Sequence, residues 1–317
     1  MEKKSSVYVC PVSISIVIPT YNRLPILAKC LQALERQDFS AEPYEIVVVD
    51  DGSTDKTISW LAQEADNLPH VRLFRQNHLG AAAARNFGVD RAQGDKIIFI
   101  DSDLVVTPTF LSAHIEAWQQ AQQQLGCDRF FTYGPVINTA NFEDPTSEPY
   151  KITDYSAAYF ATGNVTISKH WLEKAGLFDT EFALYGWEDL ELGVRLKQLG
   201  LQLVKAPKAV GYHWHPAFTL DRLPSLIDQE FQRGKMGALF YQKHPTWAVR
   251  MMVQMTGLHW CLWGILSLGG RLNEKTLQPL MSWLILRGQT GLAYQVARIF
   301  LNWYSLKGLQ EAMTHQK

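Results

Sequence analysis

Paired cysteines are missing from this chain. Its 317 residues hold four, Cys10, Cys30, Cys127 and Cys261, and no two lie close together. That spacing excludes a zinc finger or a redox couple and leaves reduced thiols. An excess of charge is missing too: 30 basic and 31 acidic residues leave a formal net charge of -1. Without a basic surplus there is no chain-wide attraction for nucleic acid, whose phosphates demand a positive face. No apolar run of signal-peptide length follows the polar start Met1 to Ser6, which places the chain in the cytoplasm as an expectation. Internal repeats and low-complexity segments are absent, apart from a polar stretch around Gln119 to Gln124. What is present is a 47% hydrophobic composition with 19% charged residues, enough for one large domain and an appendage.

Strand and helix patterns alternate through the first half. A β-branched run, Ser13 to Ile18, ends at Pro19; Glu45 to Val49 ends at Asp50-Asp51-Gly52; Val71 to Phe74 follows; and Lys96 to Ile100 runs into Asp101-Ser102-Asp103. Between them, Leu24 to Leu34, Thr57 to Ala65 and Ala81 to Ala92 carry apolar residues at helical spacing, with Ser53 or Thr54 as the expected cap of the second helix. Strands apolar on both faces and separated by helices predict an α/β fold with a mostly parallel, Rossmann-like sheet flanked by helices. Ligands of such sheets bind beyond the carboxyl ends of the strands. The polar clusters fall there: Pro19-Thr20-Tyr21-Asn22-Arg23, Asp50-Asp51-Gly52-Ser53 and Asp101-Ser102-Asp103. Each alone reads as a turn or a helix cap. Together they predict one crevice. No Gly-Xaa-Gly-Xaa-Xaa-Gly follows the first strand, which argues against a dinucleotide oxidoreductase.

The motifs Ile18 to Arg23, Val49 to Asp55, Ala84-Arg85-Asn86-Phe87-Gly88, Asp101-Ser102-Asp103 and Gly186-Trp187-Glu188-Asp189-Leu190-Glu191-Leu192 resemble, in order and spacing over roughly residues 13 to 215, the inverting family 2 glycosyltransferases of GT-A fold. The Trp187-Glu188-Asp189 stretch is similar to the acceptor-side motif of galactosyltransferase and chondroitin polymerase type domains. The resemblance implies that Pro19, Thr20, Tyr21, Asn22, Arg23 and Asp51 contact the nucleotide of the donor, that Arg85 sits near its diphosphate, and that Gly163 lies beside the transferred sugar. It also implies UDP as the default nucleotide and inversion at the anomeric carbon.

The chemistry fits these residue types. A nucleotide diphosphate leaves readily only when its charge is neutralised, and Mn2+ or Mg2+ held by carboxylates does that. Asp103 is the expected direct ligand, with Asp101 reaching the ribose, or the metal through water; Ser102 completes the donor loop. His213, or failing it His215, is the expected third ligand, since alternate residues at a strand end face one side. The competing reading is two histidines satisfied by backbone carbonyls. Asp189 is the expected base for the acceptor hydroxyl and Glu188 its neighbour in orienting substrate, although acids at a helix start also answer the helix dipole. Trp187 offers either a flat face for a sugar ring or ordinary core packing.

The expected organisation is a lead at 1–12, a catalytic domain at 13–218 divided into a donor half (13–110) and an acceptor half (150–218), and a helical region at 219–317. Residues 138–150 are expected to form a flexible loop over the site. The tail from Pro245 carries five of the ten tryptophans, with seven basic residues against two acidic ones. It predicts helices lying on an anionic membrane, making the protein peripheral on the inner face; a helical cap and a membrane hairpin are the alternatives. The expected partners are a nucleotide-sugar donor and a saccharide or lipid-linked acceptor, without nucleic acid. A polyprenyl-phosphate glycosyltransferase and a non-catalytic nucleotide-sugar binder of the same fold are the rival functions.

Overall fold

The structure is a computed structural model and describes residues 13–151, 154 and 158–314; the lead expected at 1–12 lies outside them. The order is β1 (Ile14–Thr20), α1 (Leu24–Glu35), β2 (Tyr44–Asp50), α2 (Thr57–Gln63), β3 (Val71–Arg75), α3 (Ala81–Arg91), β4 (Lys96–Ile100), β5 (Leu104–Val106), α4 (Phe110–Leu125), β6 (Phe130–Tyr133) and β7 (Val136–Thr139). Then come β8 (Asn164–Ser168), α5 (Lys169–Ala175), α6 (Glu188–Gln198), β9 (Gln202–Lys205), β10 (Gly211–Trp214), α7 (Leu223–Lys243), α8 (Trp247–Met252), α9 (Gly257–Leu266), α10 (Glu274–Leu286) and α11 (Thr290–Thr314).

By its internal contacts the chain divides into two compact units. One comprises the residues up to Thr180 with Leu192–His215; the other comprises Glu181–Glu191 with the chain from Pro216 onward. In the first unit seven strands form a sheet in the order β3-β2-β1-β4-β8-β6-β9. Only β8 runs against its neighbours, pairing antiparallel with β4 and β6, so the sheet is mostly parallel as expected. The β-branched runs are buried on both faces. Ile14, Ile16 and Ile18 of β1, with Ile46 and Val48 of β2, pack into one cluster with α1; Val17, Val47 and Val49 pack into another with α3. This period-two division is why these strands read as continuous apolar runs and not as alternating ones. A second, three-stranded sheet has the order β5-β10-β7.

Three local expectations are corrected. Neither Ser53 nor Thr54 caps α2: the Asp55 carboxylate accepts from the Thr57 amide at 3.0 Å, while Ser53 Oγ accepts from the Asn22 amide at 2.9 Å. The run Ala161 to Ser168 reads in sequence as a strand started around Gly163, and the strand begins at Asn164. The loop expected at 138–150 opens as the end of β7, because Asn138 and Thr139 pair in parallel register with His213 and Trp214.

In the second unit α7 and α11 cross at two glycines. A Cβ at Gly234 falls 1.9 Å from the Ser305 carbonyl oxygen, and one at Gly308 falls 2.0 Å from that of Phe231. Each backbone therefore lies directly on the other, an approach only glycine permits. Phe218, Leu223, Met281, Ala297 and Phe300 form the apolar cluster that α7, α10 and α11 share. Val249 to Gly270, apolar in sequence, divides into α8 and α9, and among the described residues no helix is long and apolar enough to cross a membrane.

Substituting Gly234→Ala forces the two helices apart. Urea unfolding is expected to register a loss of about 1–3 kcal/mol, and an unchanged midpoint and slope contradicts the close crossing.

Candidate functional site

The three polar clusters meet in the first unit, and the reason is strand order. Because β1 lies between β2 and β4, their carboxyl ends are neighbours. Asn22, held at φ 51°, takes the Thr54 and Asp55 amides on its side-chain oxygen at 2.8 and 3.2 Å, clasping the loop after β1 to the loop after β2. Arg23 reaches the other way and pairs with Asp103. Asp103 is buried, and its other carboxylate oxygen lies 2.8 Å from His213 Nε2. That histidine arrives from far along the chain because β10 pairs antiparallel with β5, His213 opposite Leu104. The Trp214 amide also donates to the Asp103 carbonyl at 2.9 Å.

Asp101 completes the group. Single ligand atoms of Asp101, Asp103 and His213 lie within 4.8 Å of one another. Ligands that share one cation are separated by at most about twice a metal–oxygen distance, ~4–5 Å, so the spacing fits a divalent ion. The two carboxylates are ligands of the kind that suits Mn2+ and Mg2+. His215 lies just outside β10, its ring 4.1 Å from that of His213 at 68°. Burial works to raise the Asp103 pKa, but the hydrogen bond from His213 and the charges of His213 and Arg23 outweigh it and hold the group below its ordinary value. His213 is the mirror case: burial works to lower its pKa, while the bond to Asp103 and the charges of Asp103 and Asp101 raise it.

Of the other expected donor residues, Arg85 is nearly buried, pairs with Asp101 at 3.0 Å and lies over the Phe178 ring. Gly163 is beside the same carboxylate, 3.4 Å from Asp101 Oδ2 to a Cβ placed on it. Ser102 is buried between the two acids. Pro19 and Thr20 end β1, and Thr20 Oγ1 is buried with no hydrogen-bond partner among the described residues. Tyr21 stands 40% exposed at the rim and stacks on His78, ring centroids 4.1 Å apart. The Asp51 carboxylate accepts the backbone amides of Leu79 and Gly80, both at 2.9 Å, and the Gln76 side-chain Nε2 at 2.7 Å, with His78 Nδ1 at 2.8 Å. It fixes the loop that carries His78.

In the second unit Trp187 follows Gly186, and both have left-handed backbone, φ 77° and 92°. The indole N–H donates to the Arg233 carbonyl at 2.8 Å and the Arg233 guanidinium lies over the ring, so α7 fixes this side chain. Glu188 and Asp189 form the first turn of α6, and Asp189 Oδ1 lies 2.7 Å from the Leu190 amide.

The family profile for glycosyl transferase family 2 matches residues 15–176, and that for the N-terminal domain of galactosyltransferase matches 146–217. The chain belongs to glycosyl transferase family 2. This family 2 chain is 30% identical to the chondroitin synthase of Escherichia coli over 240 residues, 64% of its own length and 35% of that protein. It is 29% identical to the validoxylamine A glucosyltransferase of Streptomyces hygroscopicus subsp. jinggangensis over 276 residues, 74% of its length and 63% of the relative. The chain thus spans about a third of the first of these relatives. Among solved structures, the mannosyltransferase of Pyrobaculum calidifontis, determined with GDP-mannose and Mn2+, aligns over 98% of the chain and 91% of its own with a TM-score of 0.59 at 16% identity. The fold is therefore GT-A.

Three histidines escaped the sequence reading. His78 carries no local motif. His244 Nε2 lies 2.8 Å from the buried Glu191 carboxylate, joining the end of α7 to the first turns of α6. His114, on the buried face of α4, lies in a wholly internal network. Asn164 donates its amide to the Pro135 and Ala209 carbonyls at 2.9 and 2.8 Å, so its side-chain oxygen must accept from His114 Nε2 at 2.8 Å, and His114 Nδ1 accepts from Thr166 Oγ1 at 2.9 Å. The network ties the start of β8, beside Gly163, to the segment leading into β10. A lone histidine among Phe110, Leu111 and Ile115 offers no sequence signal for it beyond its misfit with an apolar face.

Burial lowers the His114 pKa to about 4, against the hydrogen bond to Asn164 that works upward. The unfolded chain therefore binds one proton more between that value and the ordinary one near 6.5. The contribution is complete above about pH 6.5 and is lost as pH falls towards 4, by roughly 3 kcal/mol at most. Urea unfolding from pH 7 to 4.5 is expected to show this loss in the wild type and a shallower one in His114→Gln; parallel curves contradict the assignment.

Proposed function

We propose that the chain is a metal-dependent inverting glycosyltransferase that moves a hexosyl or N-acetylhexosaminyl group from a nucleotide-diphosphate sugar to a hydroxyl of a saccharide or lipid-linked acceptor. The supporting observation is the convergence of Asp101, Asp103 and His213 within ligand distance of one another at the strand ends of the first unit. UDP is the default nucleotide. The saccharide acceptor draws support from the chondroitin synthase relative, whose name is that of a polysaccharide-forming enzyme.

Asp103 and His213 would hold Mn2+ or Mg2+, with Asp101 shared between the metal and the ribose. When bound, the ion supplies the positive charge that makes the diphosphate a competent leaving group. Arg23 sets the charge on Asp103 and faces the donor from the β1 loop, while Arg85 orients Asp101 and brings a second cation towards the diphosphate. Tyr21, with His78 stacked on it, provides a flat face for the base beside Asn22 and Asp51. Pro19, Thr20, Ser102 and Gly163 line the remaining donor path.

On the acceptor side Asp189 takes the hydroxyl proton as the bond to the anomeric carbon forms, and Glu188 orients the sugars. Displacement by one base in a single step inverts the anomeric configuration. Trp187 serves the acceptor by the edge and face that Arg233 leaves open. The proposed catalytic domain covers 13–218, with the nucleotide bound by 13–110 and the acceptor by 150–218. The helical region at 219–317 holds the enzyme peripherally on the inner face of an anionic membrane.

The test is a hydrolysis and transfer screen over UDP-, GDP- and dTDP-sugars with Mn2+ or Mg2+. Chelation with EDTA is expected to abolish turnover and added Mn2+ to restore it. Asp103→Ala should cost about 10²–10³ or more in rate. Asp189→Asn should lower kcat by about 10²–10⁴ while leaving UDP affinity within a few-fold. Full activity of Asp103→Ala, or turnover indifferent to EDTA, contradicts the metal assignment; full activity of Asp189→Asn contradicts the base.

A further inference from the structure

The helix α9 is built against the rule that apolar side chains are covered. It is ten residues long, GLHWCLWGIL, carries no charged side chain, and none of its residues is buried. Its two faces differ. The indoles point inward: Trp260 meets Trp303 of α11 edge to face at 5.9 Å, and Trp263 Nε1 donates to Gln254 at 2.7 Å. The aliphatic side chains point outward: Leu258, Leu262 and Ile265, at i, i+4 and i+7, are 71%, 44% and 66% exposed, with the Cys261 thiol on the same stripe. Leu268 prolongs the stripe past the helix end. On α10 Leu280, Trp283 and Leu286, at i, i+3 and i+6, are exposed as well, and Leu286 reaches 88%.

Charge selects what covers these stripes. From Thr246 to Gly288 the cations are Arg250, Arg271, Lys275 and Arg287, and the single carboxylate is Glu274, which accepts from the Tyr304 hydroxyl at 3.1 Å. Arg271, Lys275 and Arg287 are exposed, and Arg287 lies over the Trp283 ring at 4.9 Å. A second copy docked through this face in two-fold symmetry brings like cations together. An anionic leaflet instead pairs each cation with a headgroup and accepts the aliphatic side chains below it. A helix of ten residues is ~15 Å long and cannot span, but lying flat it inserts one stripe.

We propose that α9 is the inserting element of the C-terminal region: Leu258, Leu262 and Ile265 enter the acyl boundary of an anionic membrane, Leu280, Trp283 and Leu286 of α10 do the same, and Arg271, Lys275 and Arg287 bind the lipid phosphates. This rests on the peripheral-membrane reading above and names the surface that carries it.

The experiment uses the full chain and vesicles of phosphatidylcholine, alone or mixed with phosphatidylglycerol. Wild type is expected to sediment with the mixed vesicles only. The triple variant Leu258→Gln, Leu262→Gln, Ile265→Gln is expected to lose binding about a hundredfold, and the pair Arg271→Glu, Lys275→Glu at least about tenfold. An environment-sensitive fluorophore on Cys261, in a Cys10→Ser, Cys127→Ser background, should shift to the blue on mixed vesicles, a reading that does not depend on how the triple variant folds. Equal binding by wild type and a triple variant of unchanged circular dichroism overturns the proposal, as does an unshifted fluorophore. So does light scattering that shows a wild-type dimer which the triple variant dissolves, since a second copy then covers the face. Donor hydrolysis without vesicles is measured alongside; its loss in wild type refutes the enzymatic reading and leaves the membrane result to stand by itself.

Discussion

A carboxylate at the end of a buried strand is the constraint around which the catalytic half is organised. Asp103 is 5% exposed, and an ionised acid in that position is tolerated only with charge and hydrogen bonds to compensate. Arg23 and His213 provide them, from positions far apart in the sequence. Satisfying Asp103 therefore requires β1, β4 and β10 to be in register at one point. The same arrangement brings single ligand atoms of Asp101, Asp103 and His213 within 4.8 Å of one another.

Around that point the supports are polar and internal. Asn22 clasps two loops, Asp51 fixes a third, and the His114–Asn164 network holds β8 to the approach of β10. Buried networks of this kind are rigid when every member is satisfied. They explain how a crevice made of loops keeps its shape, the loops being tied to strand ends by side-chain oxygens that accept backbone amides.

Much of the sheet was legible in the sequence. The runs at Ile14 to Ile18, Ile46 to Val49 and Ile97 to Ile100 are apolar on both faces because the strands are covered on both sides, and a pattern that strong survives without tertiary information. The convergence of Asn22, Asp51 and Asp103 followed from strand order. The network of His114 was not legible, because it joins residues 114, 132, 164 and 166 through folding alone. Nor was the start of α2, where Asp55 accepts from the Thr57 amide and Ser53 from the distant Asn22 amide, although both types suit a cap. In the tail, composition marked out a basic, tryptophan-rich region but not which tryptophans are covered: Trp260 and Trp263 are partly buried, whereas Trp247 and Trp283 are exposed beside leucine and isoleucine. Residue type sets the tendency, and the facing helix decides which side is covered.

We propose that Asp103 and His213 share a divalent ion at the donor diphosphate. Crystals grown with Mn2+ and UDP test it through manganese anomalous scattering. A shared ion places a peak within about 2.0–2.6 Å of an Asp103 carboxylate oxygen and of His213 Nε2. A peak held by other residues, or bound UDP with no peak beside Asp103, contradicts it.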